Sequence, residues 1–263
     1  MRSYARVLFG GATLLVLTGC NGSDAPTTAR LGERTSAAQT TSTQDVVDAL
    51  FLGSGPLIPR DGQSECALPG TWVGFPRGAR VRVRIGGGVS VAAQAAIQRV
   101  VEQVPTATDG VLSAAVEVAS DPNPLPGVSE VTVVAVADPR REGCTSSGGC
   151  LLRAFTGRGA LYSVRVVESV AEVPTGFAQS VVGAGVLGLC RIDARRIGGA
   201  GNSLMSGGPG VPPADVSPLL TGLDLPATQA VWSSQLSPGA VRRDFLSVGL
   251  VNIQAGERPR ARP

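Results

Sequence analysis

Residues 176–192 read GFAQSVVGAGVLGLCRI, and the fold turns on how this run is read. Phe177, Val181, Val182, Val186, Leu187 and Leu189 recur at helical spacing and offer one broad apolar face. Gly183, Gly185 and Gly188 each disfavour a helix by about 0.5–1 kcal/mol relative to Ala. Burial against a sheet, not propensity, must therefore hold the segment.

A sheet is legible upstream. Arg80-Val81-Arg82-Val83-Arg84-Ile85 alternates strictly, which sends Val81, Val83 and Ile85 to a core and the Arg row to a solvated face. After Gly86–Gly88, Ser90 is placed to cap a helix running to Val104, with Ala93, Ile97, Val100, Val101 and Val104 as its stripe and Pro105 as its end. Strand-like runs follow at Val111–Ala119, Glu130–Val136, Leu151–Phe155 and Ala160–Glu168. Ahead of the sheet, Val46, Val47, Leu50 and Phe51 mark one face of a short helix stopped by Gly53 and Pro56. Beyond residue 192 come a Gly/Pro-rich passage and two short helical patterns, LPATQAVWSSQL and SPGAVRRDFLSVGL. The Gly run after Ile85 fits no dinucleotide fingerprint.

The N-terminus has the grammar of export. Arg2 and Arg6 precede an apolar run from Val7 to Leu17, too short for the ~20 residues that span a bilayer. The run ends in Leu17-Thr18-Gly19-Cys20, which resembles the bacterial lipobox and implies lipidation of Cys20 after cleavage before it. The expected organisation is a signal peptide at 1–19, a polar tether at 20–44, one domain at 45–254 and a disordered tail at 255–263. The expected location is the cell envelope, outside the cytoplasm, held to a membrane through Cys20. Asn21 points to the outer membrane or cell surface by the lipoprotein resemblance.

Composition narrows the chemistry. The sequence has no His, and all 23 basic residues are Arg. Losing Arg2 and Arg6 takes the formal charge from +3 to 3 − 2 = +1, which gives no electrostatic case for nucleic acid. Cys66, Cys144, Cys150 and Cys190 remain for an oxidising compartment, with three possible pairings. Cys144–Cys150 across the turn-rich CTSSGGC is favoured, leaving Cys66–Cys190; the spacing matches no common zinc pattern.

From Val81 to Trp232 the order of elements resembles the metzincin zinc proteases, especially the matrixin-like ones. These have a first strand, a long helix, a sheet with an edge strand, an active-site helix, a Met-containing turn and a closing helix. The implied fold is α+β: a zincin-like mixed sheet with an N-terminal long helix, a degenerate active-site helix and short C-terminal helices. The family motif is H-E-x-x-H-x-x-G-x-x-H, in which two His one turn apart face zinc and Glu is the base. With Gly188 on its Gly, the His positions fall on Val181, Gly185 and Arg191 and the Glu on Val182. A register with one extra residue gives Ser180, Ala184 and Arg191, with Val181 at the Glu. Met205 falls at the Met-turn.

Neither register supplies a ligand or a base, so the resemblance implies no catalytic residue, no metal and no cofactor. It implies a binding or structural module, with a peptide or protein as the ligand a vestigial cleft could hold. It also places the helix over 175–189 beneath an edge strand around 160–168, with Met205 under its end. Two other readings stay open: an unrelated α+β lipoprotein domain, and a hydrolase of atypical site drawing on Glu168, Glu172 and Asp193.

Overall fold

The computed structural model describes residues 42–53, 66–170, 177–190, 220 and 224–251. Cys20, Glu172, Arg191, Asp193 and Met205, the Gly/Pro-rich passage, most of the expected tether and the tail lie outside these residues.

The chain builds a mixed α+β fold on one five-stranded sheet. Helix α1 (Thr43–Leu52) starts at Thr43, ahead of Asp45, because Ser42 and Asp45 cap it reciprocally. Gly53 ends it in the left-handed conformation at φ 61°. Strand β1 (Arg80–Ile85) leads into α2 (Val91–Val101), whose Ser90 Oγ accepts from the Ala93 amide as expected. Pro105 does not end that helix. It stands at the start of a separate turn, α3 (Val104–Ala107), where its missing N–H and fixed φ suit a first turn.

Strands β2 (Ser113–Val118), β3 (Glu130–Val136), β4 (Gly149–Phe155) and β5 (Leu161–Ser169) complete the sheet in the order β2-β1-β3-β5-β4. The first four in that order run parallel, and β4 runs antiparallel to β5. This corrects the expected edge: the strand around 160–168 is β5, flanked by β3 and β4, and the edge on that side is β4. The Gly157–Gly159 turn makes a hairpin of β4 and β5, so β4 caps the sheet from outside.

Alternation divides the sheet into two faces. Val81, Val83, Ile85, Val131, Val133, Val164 and Val166 enter the main core together with Ile97, Val100 and Val101 of α2. On the other face the Arg row is not simply solvated. Glu130 is fully buried between Arg82 (3.0 Å) and Arg84 (3.3 Å), so two of the three Arg pair with a buried carboxylate. Arg165 joins the same face to its covering loops, donating to the Pro124 carbonyl at 2.7 Å and pairing with Glu142 at 3.0 Å.

Helices α4 (Phe177–Ser180), α5 (Asp224–Ser233) and α6 (Arg242–Ser247) follow. Trp72, in the segment before β1, gathers the first and last described helices. Its ring meets Phe51 of α1, Trp232 of α5 and Phe245 of α6 edge-on, at 5.9, 4.9 and 6.2 Å. Buried Asp48 of α1 also pairs with Arg242 of α6.

Candidate functional site

Residues 177–186 form one α-helical turn, α4, and then a π-helical stretch from Val181 to Val186. The Leu187 amide donates to Val182 O at 2.9 Å, five residues back, which is the mark of one residue more than an α-helix holds. Gly188 ends the stretch at φ 73°, and a Cβ there would stand 2.0 Å from Val73 O. Only glycine satisfies both demands.

The two registers present different sides of this helix. Val181, Val182 and Gly185 are buried, and a Cβ on Gly185 would meet Val131, Val166 and Val164 of the sheet at 3.3–3.9 Å. Ser180 is exposed and Ala184 half-buried. The register with the extra residue thus faces outward, and the other faces the core. Gln179 is also fully buried, and its amide has no hydrogen-bond partner among the described residues.

Both disulfides of the favoured pairing form, Cys66–Cys190 and Cys144–Cys150. Cys190, two residues past Gly188, also donates its amide to Leu50 O at 2.8 Å. The exit of the helix is therefore tied to α1 by a backbone bond and to the Cys66 segment by a covalent one.

Arg153 is the residue that sequence reasoning passed over. In β4 the side chains of Leu151, Arg153 and Phe155 share the inward face, paired opposite Val166, Val164 and Leu161. An Arg at an inward position requires acceptors, and it finds them at the helix end: its Nη2 donates to Ala184 O at 2.9 Å and Leu189 O at 3.2 Å. A cation thus sits at the carbonyl end of the helix, where the dipole favours it.

Glu168, near the end of β5, is half-buried and not at a solvated strand end. Desolvation pushes its pKa from 4.5 to about 7, against a smaller opposing hydrogen bond from the Ser169 backbone. Near the β4–β5 turn lies a groove of about 600 Å³, bordered by Thr71, Arg158, Leu236, Pro238, Val241 and Asp244.

The donor chemistry around the helix does not fit a zinc ion of the kind the resembled proteases hold. Val181, Gly185 and Ala184 offer no ligand atom, Ser180 offers a neutral hydroxyl, and the neighbouring charge is the Arg153 guanidinium. Among the described residues no three His, Cys, Asp or Glu side chains cluster to hold a metal. Set against known proteins, the chain matches no family model, no curated protein and no solved structure.

Proposed function

We propose that the chain is an exported lipoprotein, anchored through Cys20 in the cell envelope, whose domain is a metzincin-like scaffold without catalytic chemistry that binds a peptide or protein segment. The observation that carries this reading is the pairing of a helix-breaking Gly188 exit with outward positions, Ser180 and Ala184, that hold neither ligand nor base. Edge strand β4 beside that helix supports the binding role. Among the described residues its backbone pairs only with β5, which leaves its other side to receive an extended segment as an added strand.

Anchoring and binding are tested separately. Incorporation of a labelled fatty acid should vanish in Cys20→Ala, and persistent label refutes the anchor. The absence of Lys sharpens this: after cleavage the Cys20 α-amine would be the only primary amine in the chain, so an amine-reactive dye reports whether it is free or acylated. For binding, displayed random octapeptides should yield ligands that slow amide exchange across residues 149–155. Ligands that protect other segments, or no ligands at all, refute the β4 reading.

A further inference from the structure

We propose that the Arg153 guanidinium is a built-in cation occupying the position, between helix exit and edge strand, that a metal ion takes in the resembled proteases. The inference rests on the metzincin-like reading of the fold. It concerns a residue to which that resemblance gives no role.

In the outward register a metal would be held at positions 180, 184 and 191, of which 191 lies outside the described residues. Arg153, from the opposite wall, reaches the turn that carries 184 and the chain two residues before 191. Its Nη2 bonds Ala184 O in the outward turn and Leu189 O just past Gly188. A metal would join the walls through side-chain donors, and here one guanidinium joins them through main-chain carbonyls. The geometry suits Arg and not a dication. Two neutral carbonyls answer two N–H bonds from one planar group, while positions 180 and 184 hold Ser and Ala. The π-helical stretch fits the same account, because the last carbonyls of a helix lack amide partners and Arg153 supplies a donor to them.

The arrangement makes the position refractory to metal, and restoring ligands alone should not restore affinity. The test starts from the full chain carrying Ser180→His and Ala184→His, titrated with zinc chloride against a chromogenic chelator. Adding Arg153→Met should raise zinc affinity at least ten-fold, because a fixed positive charge beside the paired imidazoles is removed. Affinities equal within two-fold would overturn the proposal.

Should the double-His protein not melt cooperatively, hydrogen exchange on single variants decides. Arg153→Lys should keep the Leu187 and Leu189 amides within three-fold of the parent rate, and Arg153→Met should speed them at least ten-fold. Equal acceleration by both would show that the charge is not what matters, and the idea fails. Neither readout involves a ligand on β4, so a failed binding function leaves a different signature.

Discussion

The choice between the two helix registers can be decided by placing one imidazole on each side of the π-helical stretch. In Gly185→His, the Cβ alone would lie 3.3 Å from Val131 Cγ1, with Val166 and Val164 at 3.7 and 3.9 Å. The ring then has to displace the sheet, at an overpacking cost of about 1–3 kcal/mol. It also brings two nitrogens to an all-Val surface, which costs roughly 1–3 kcal/mol more. Replacing glycine in a helix returns only about 0.5–1 kcal/mol. The net loss is about 3 kcal/mol, and at ~2–4 °C per kcal/mol for a domain of this size the melting temperature should fall by about 6–12 °C. Ala184→His points to the half-buried outward side and should cost ~1 kcal/mol or less, a shift under about 4 °C. Thermal melts followed by circular dichroism at pH 8, where the imidazole is neutral, read both. If Ala184→His falls as far as Gly185→His, or if Gly185→His melts within 4 °C of the parent, the assignment of sides is wrong.

Other consequences are equally open to measurement. Removing Cys66–Cys190, which spans 124 residues, should cost about 5 kcal/mol in denaturant melts, against about 2 kcal/mol for Cys144–Cys150, which spans 6. Equal losses would mean that chain entropy is not the cause. Gly188→Ala, driven into Val73 O, should lose well over ~3 kcal/mol, while Gly78→Ala, at a similar φ of 78° but in open space, should lose only ~1–2 kcal/mol. Because Glu168 binds its proton more tightly folded than unfolded, its contribution to stability falls as pH rises from 4.5 to about 7 and is level above that. Glu168→Gln should therefore flatten that part of the pH profile and raise the melting temperature at pH 8; an unchanged profile would refute the buried-carboxyl argument. Gln179→Met exchanges a buried amide that has no partner among the described residues for an apolar chain of similar length and should stabilise the protein by ~1–3 kcal/mol.

Much of the scaffold is legible in the sequence because its signals are local. Strict alternation places Val81, Val83 and Ile85 in the core, and Glu130–Val136 is a strand with the bounds its composition implies. Ser90 caps the helix it precedes, and CTSSGGC closes on itself. Signals that depend on distant chain are harder to read. Trp72 stands in a stretch without periodicity, so nothing local shows that it joins α1, α5 and α6. The position of β5 inside the sheet depends on β4 turning back beyond it, and the glycines at 157 and 159 that permit this turn do not state where the hairpin docks.

The candidate site was hardest to read for a specific physical reason. A six-residue run that is apolar on nearly every side fits an α-helical or a π-helical period equally well, so the extra residue is invisible until Leu187 bonds Val182 instead of Gly183. That single shift puts Gly185 against the sheet and leaves Ala184, whose carbonyl accepts from Arg153, half-buried on the other side. Arg153 did leave a trace: in LLRAF the alternation that turns Leu151 and Phe155 inward must turn the start of Arg153 inward as well. A strand that turns an arginine inward needs carbonyls within about seven bonds' reach, and a helix end supplies them in greatest density. The charge on the edge strand and the irregular end of the helix are therefore one feature, and each accounts for the other.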